Sequence, residues 1–234
     1  MNHTDRPLVI AIDGPAASGK STLAEKLAMQ LGFFYFDTGV MYRVATLAAL
    51  QELGSVEDEA AVTSLTEKIQ IDVQPASVSD GRTMDVLLNG VDVTWEIRNP
   101  EVERGVSPVS AYQGVRTNLT ARQREIGLRG NIVMVGRDIG TVVFPDARFK
   151  FYLDATPEER ARRRFLEVQQ RGETRTYAEI LENVLKRDGI DSTRKHAPLK
   201  RADDAIIVDT NNKTVEEEIS EVLEIINHAL QEEE

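Results

Sequence analysis

The chain contains no cysteine, which excludes disulfide staples and zinc–thiolate sites and fits a reducing compartment. No apolar run approaches the roughly 20 residues of a membrane-spanning helix. The first seven residues are polar, so neither a membrane anchor nor a secretory leader is expected, and the expected location is the cytoplasm. Histidine is scarce: His3, His196 and His228 are scattered, and they build no Ser-His-Asp or metal–histidine constellation. Basic residues are in the minority, 28 Lys and Arg against 39 Asp and Glu, for a net charge of −11. That balance argues against non-specific binding to nucleic acid, which depends on neutralising phosphates. What is present, 234 residues of which 41% are hydrophobic, suits one globular domain with room for an inserted subdomain.

The organising stretch is Gly14-Pro15-Ala16-Ala17-Ser18-Gly19-Lys20-Ser21, which fits the G-x-x-x-x-G-K-[ST] pattern of a phosphate-binding loop. An apolar run, Leu8 to Ile12, precedes it as a buried strand. Leu23, Leu27 and Leu31 follow at helical spacing. In such a loop the glycines let the backbone wind around phosphate oxygens, and the next helix adds its positive end. Gly14, Pro15, Ala16, Ala17, Ser18, Gly19, Lys20, Ser21 and Thr22 are therefore the candidate ATP-binding residues. Lys20 would neutralise the β- and γ-phosphates, and the Ser21 hydroxyl would help hold Mg²⁺.

The first 54 residues read β-α-β-α: a short strand at Phe33 to Phe36, then helical spacing from Val40 to Leu53 closed by Gly54. From residue 55 to 104 the rhythm changes to alternation, with Asn89-Gly90 as a hairpin signal. We read a small antiparallel meander there, with Trp95 as its core plug. Ser110 to Arg129 returns to helix. Buried strands follow at Asn131 to Val135, Phe149 to Leu153 and Ala205 to Val208. Three helices open with capping boxes: Thr156 with Glu159, Thr176 with Glu179, and Thr214 with Glu217. Nothing repeats internally. The expected fold is α/β, a doubly wound P-loop architecture with a five-stranded parallel sheet flanked by helices.

Open parallel sheets bind ligands past their strand ends, which singles out Asp13 with its loop, Asp37 to Gly39, and Arg137-Asp138. Between Arg137 and Arg201 basic residues outnumber acids, although the chain is acidic. Arg160, Arg163 and Arg164 stand at i, i+3 and i+4 on one helical face, and Arg171 and Arg175 flank a break at Gly172. Arg187, Asp191 and Arg194 share a face if their helix continues past Gly189. Clustered guanidiniums suit phosphoryl transfer, whose transition state spreads negative charge over equatorial oxygens. The candidate catalytic cations are Lys20, Arg137, Arg160 and Arg164. The plainer reading of the arginines is surface pairing with Glu158, Glu159 and Glu167.

Three blocks together resemble the bacterial cytidylate kinase family: Ile12-Asp13-Gly14-Pro15 into the loop, Asp37-Thr38-Gly39 with Tyr42-Arg43, and Gly136-Arg137-Asp138-Ile139-Gly140-Thr141-Val142-Val143-Phe144-Pro145-Asp146-Ala147. The last block is the most discriminating, and the resemblance runs on through Asp154-Ala155, Glu159-Arg160-Ala161 and Ala197-Pro198-Leu199. The resemblance implies a P-loop kinase fold with a core (7–54 and 105–234), an inserted monophosphate-binding subdomain of small antiparallel α/β structure (about 55–104) and a mobile lid (about 157–176). It implies ATP as donor, CMP or dCMP as acceptor, and Mg²⁺ as cofactor. Carried over by motif, Thr38 and Tyr42 would contact the acceptor, and Arg43, Arg137 and Arg187 would hold its phosphate. Ser107, Arg116, Asp138 and Arg194 would read the cytosine edge, and Asp191 the sugar hydroxyl. No nucleic-acid or membrane partner is expected, and the expected assembly is a monomer.

Three alternatives stay open: a related kinase for UMP or AMP, a P-loop module that binds ATP without transferring phosphate, and a GTP-dependent switch. The last would need N-K-x-D. The nearest string, Asn212-Lys213-Thr214-Val215, lacks the aspartate, and no Asp-x-x-Gly occurs. Replacing Lys20 by Ala is expected to abolish turnover while leaving the circular dichroism spectrum and melting curve intact; retained turnover would refute the loop assignment.

Overall fold

The computed structural model describes residues 7–170, 172 and 174–231; His3 and Arg171 fall outside them. A five-stranded parallel sheet runs in the order β2-β6-β1-β7-β8. Its strands are β1 (Val9–Asp13), β2 (Phe34–Asp37), β6 (Ile132–Gly136), β7 (Phe149–Asp154) and β8 (Ile206–Asp209). A separate antiparallel sheet holds β3 (Ile71–Pro75), β4 (Met84–Leu88) and β5 (Val91–Asp92) in sequential order. By contact density the chain divides into two compact units, one reaching Leu8 and resuming over Phe33–Met134, the other made of Val9–Gly32 and Val135 onward.

In the second unit β1 lies parallel to β7, Ile12 opposite Phe151, and β7 lies parallel to β8, Leu153 opposite Val208. Every residue of β1 is buried. A strand inside a parallel sheet has both faces covered, so it reads as a continuous apolar run rather than an alternating one. Helix α1 (Lys20–Leu31) buries Leu23, Ala24, Leu27 and Ala28. It packs on α8 (Val215–Gln231), which buries Ile219, Val222 and Ile226. Helices α6 (Pro157–Gln170) and α7 (Tyr177–Thr193) pair around a core of their own, Ala161, Val168, Ile180 and Val184.

The first unit carries α2 (Gly39–Leu53), α3 (Glu59–Lys68), α4 (Pro100–Val109) and α5 (Gln113–Gly127). Helix α2 is buried nearly all round because α3 and α4 both pack on it. The expected hairpin is present: Asn89 and Gly90 both take positive φ, 51° and 81°, the pair of left-handed residues that a two-residue turn requires.

Four expectations are corrected here. The stretch 55–104 is not a meander alone. It begins with α3, capped by Asp58, whose carboxylate accepts from Ala61 N at 3.0 Å, and it runs into α4, capped by Asn99 with Pro100 at the first position. Both are ordinary helix starts that the neighbouring alternation obscured. The helix read from Ser110 to Arg129 starts at Gln113, α4 ending before it. Trp95 plugs no core. It is 46% exposed, donates its indole N–H to Asp80 at 2.9 Å, and is covered by Arg98 at 5.0 Å from the ring centroid. An indole needs a partner for its N–H, and here that partner is at the surface. Two of the three capping boxes close reciprocally, at Thr176 and Thr214. At Thr156 the hydroxyl caps Glu159 N, but the Glu159 carboxylate turns instead to Arg162 and Arg163.

Asn99 Oδ1 accepts from both Glu101 N (2.9 Å) and Val102 N (2.8 Å). Replacing Asn99 by Ala is expected to cost about 1 kcal/mol, read as a lower urea midpoint with an unchanged m-value.

Candidate active site

The site is built where β1 ends. Asp13 is its last residue and is buried; Oδ1 accepts from Ile139 N at 2.8 Å and Oδ2 from Gly140 N at 2.7 Å. These two amides open the π-helical turn Ile139–Val143 that follows β6. The strand that feeds the phosphate loop is thereby fixed to the segment bearing Arg137 and Asp138. Burial pushes the Asp13 carboxyl up to about 6, and the nearby Asp138 charge adds to the rise, against the two backbone hydrogen bonds and Lys20.

The loop then turns tightly. A Cβ on Gly14 would stand 2.5 Å from the Leu153 carbonyl oxygen, a contact no side chain tolerates, so glycine is required there. Gly19 sits at φ 88° as the N-cap of α1. Lys20 is buried with its Nζ on the Pro15 carbonyl at 2.8 Å, folded back along the loop. Ser18 is fully buried, and its Oγ has no hydrogen-bond partner among the described residues. Ser21 and Thr22 occupy the first turn of α1. Among the described residues no group of three or more Asp, Glu or His could hold a metal.

Two arginines of α6 reach the loop. Arg160 Nη1 donates to Ala16 O at 3.1 Å, and Arg163 Nη1 to Ser18 O at 3.4 Å. Arg163 also donates to the Thr210 carbonyl and to Glu159 Oε1. Behind it Glu218 is buried, its carboxyl pushed up to about 6 by burial, which outweighs the cations of Arg163 and Lys213. Arg164 turns elsewhere and pairs with Glu167 at 2.8 Å on the surface. Arg175 is exposed.

In the same unit four of the acceptor-side residues come together. Arg137 Nε donates to Asp191 Oδ2 at 2.8 Å. Arg194 lies 3.7 Å from Asp191 and 3.9 Å from Asp138, and its Nε donates to Ala197 O at 2.6 Å. Helix α7 runs past Gly189, which delivers Arg187 and Asp191 in its last turns and leaves Arg194 as the C-cap. Burial would raise the Asp191 carboxyl, but Arg137, Arg187 and Arg194 outweigh it and hold the group below its ordinary value.

The remaining predicted residues form a second cluster in the first unit. Thr38 is the buried N-cap of α2. Arg43 pairs with Glu103 at 2.5 Å and donates to Ile97 O. The Arg116 guanidinium is buried 5.3 Å from the Tyr42 ring centroid and donates to Ser110 O at 3.0 Å. The Ser110 hydroxyl in turn donates to Ser107 O at 2.8 Å, which ties the Ser107 turn to Arg116.

A family model described as cytidylate kinase matches residues 10–228. This chain belongs to the cytidylate kinase family. A cytidylate kinase of Herpetosiphon aurantiacus is 46% identical over 220 residues, 94% of each chain. One from Bacillus velezensis is 45% identical over 95% of this chain and 97% of that one. One from Carboxydothermus hydrogenoformans is 49% identical over 93% and 96%. The protein is accordingly an enzyme, a nucleoside-monophosphate kinase of the transferase class. No helix among the described residues is long and apolar enough to cross a membrane.

Two carboxylates that hold candidate site arginines escape sequence reasoning. Glu103, which holds Arg43, and Asp188, which holds Arg160 through Nη1 (2.9 Å) and Nη2 (2.5 Å), carry no local motif. Their partners are 60 and 28 residues away, and only the packed chain brings them together.

Asp13 binds its proton more tightly in the folded chain, at about 6, than at its ordinary 3.8. The stability it contributes therefore grows as pH falls through that window and is lost as pH rises above it. In urea unfolding at pH 4.5 and 7, wild type is expected to gain on Asp13→Asn at the lower pH; a constant difference would refute the shift.

Proposed function

We propose that the enzyme transfers the γ-phosphoryl group of ATP in line to CMP and dCMP, giving ADP with CDP or dCDP. The observation that carries this reading is the Arg137–Asp138–Asp191–Arg194 cluster, whose first two residues lead into the turn that Asp13 ties to the phosphate loop and whose last two come from the end of α7. Two guanidiniums around two buried carboxylates are complementary to a phosphate and a polar base edge at once. Cytosine offers an N4 donor beside its N3 and O2 acceptors, which aspartate and arginine match.

In this reading the backbone of Gly14 to Ser21 wraps the ATP phosphates, and Lys20 leaves Pro15 O to neutralise them. Mg²⁺, when bound, would supply positive charge to offset that of the phosphates. No group of three or more metal-ligating side chains occurs among the described residues, and the Ser21 hydroxyl is the protein group that would hold the ion. Arg43, Arg137 and Arg187 are the residues proposed to bind the acceptor phosphate. Its oxygen is already anionic, so no general base is needed. The segment 157–176 acts as a lid whose arginines exclude water and stabilise the transferring group, as a placed arginine can by ~10³ to 10⁵ in rate. The segment 55–104 closes on the acceptor side of a core made of 7–54 and 105–234. The enzyme works as a cytoplasmic monomer.

UMP and AMP kinases share this loop chemistry, so the acceptor decides between readings. In a coupled ADP-release assay, CMP and dCMP are expected to be far better acceptors than UMP, AMP or GMP. Equal rates across the panel would overturn the base assignment, and slow hydrolysis indifferent to any monophosphate would reduce the protein to an ATP-binding module.

A further inference from the structure

Arg160 is the most deeply committed cation of the α6 face. Its side chain is 3% exposed, and a guanidinium that far from water must be paired to be there at all. Nε donates to Ala155 O at 3.0 Å, at the start of the helix. Nη1 is shared between Ala16 O in the phosphate loop and Asp188 Oδ1, and Nη2 donates to Asp188 Oδ2. The two carbonyls locate the cation, but neither neutralises it. Asp188 does, and its two parallel bonds also fix the plane of the guanidinium, as a bidentate carboxylate does.

The carboxylate is itself held rigidly. Asp188 stands on α7, and α7 packs on α6 through the core of Ala161, Val168, Ile180 and Val184, with Phe165 and Leu181 against it. The donor and acceptor of the pair thus come from two helices of one packed arm. Arg164, four residues on from Arg160, shows the contrast: its pair with Glu167 lies within one helix, 36% and 50% exposed, where water screens it.

We propose that Asp188 is a positioning residue for phosphoryl transfer, acting through Arg160 by holding its guanidinium in register with the phosphate loop. The inference rests on the reading of that loop as the ATP site. A cation of fixed plane needs no reorganisation when charge builds on the transferring phosphoryl group, and a displacement of about 1 Å at such a group can cost ~10²-fold in rate.

The test is a double-mutant cycle over wild type, Asp188→Asn, Arg160→Ala and the double variant, with Asp188→Glu alongside. Each protein is measured for kcat, for KM of ATP and CMP, for ATP affinity by calorimetry, and for thermal melting. Asp188→Asn is expected to lower kcat by ~10²-fold with little change in the KM for CMP, and to cost nothing further once Arg160 is gone. Asp188→Glu, which keeps the charge but shifts it, is expected to fall between Asn and wild type. A wild-type kcat in Asp188→Asn, or the same loss with and without Arg160, would overturn the role. Should Asp188→Asn melt below the assay temperature, Asp188→Glu decides: a reduced kcat in a folded protein supports the role, and an unchanged kcat overturns it. Should wild type fail to phosphorylate CMP, the proposed function falls. The ATP isotherms then decide the role of Asp188 alone: weaker binding by Asp188→Asn that vanishes in the Arg160→Ala background supports it, and equal binding overturns it.

Discussion

Both oxygens of a single buried carboxylate, Asp13, are given to backbone amides at Ile139 and Gly140, and the geometry of the second unit depends on that exchange. The strand behind the phosphate loop and the turn beyond β6 are distant in sequence, and this contact sets their spacing. It satisfies two amides at the start of a π-helical turn, where the regular helical pattern leaves donors unmatched. It also brings a negative charge close to Lys20 and Asp138 in a place water does not reach. A loop that must receive several phosphate charges is thus built around an anion whose own ionisation is held back by burial.

The cations follow the opposite logic. In a chain of net charge −11, nearly every arginine that faces a functional residue is held by a carboxylate: Arg137 by Asp191, Arg43 by Glu103, Arg160 by Asp188, Arg163 by Glu159. Such pairs keep long, flexible side chains in one rotamer before any ligand arrives. They also mean that an incoming phosphate competes with an existing partner rather than with water alone. Binding in such a site gains selectivity for groups that can outbid a carboxylate, and multiply charged phosphates do so better than singly charged acids.

The parts of this architecture that were legible in the sequence are those whose cause is local. Strand β1 shows itself because a doubly covered strand must be apolar throughout, and the loop shows itself because close approach to Leu153 O leaves glycine as the one choice at position 14. Two of the capping boxes could be read for the same reason, since their donors and acceptors lie three residues apart. Helices α3 and α4 were missed although Asp58 and Asn99-Pro100 announced them, because the alternation of Ile69, Ile71 and Val73 suggested sheet on both sides. Trp95 misled because its size suggested burial, whereas its N–H and the Arg98 cation both find satisfaction at the surface. Among the site residues, the arginines could be nominated from the sequence but their orientation could not. Arg163 and Arg164 differ by one position on α6, and which of them meets the loop is decided by Thr210 and Glu159, partners supplied by the fold.

The position of Trp95 has a practical side. Because the chain has one tryptophan and its indole stands half in water between an aspartate and an arginine, tryptophan fluorescence from this enzyme originates at a single spot on the smaller sheet's flank. That emission therefore reads the unit of Phe33–Met134, an optical label already written into the chain.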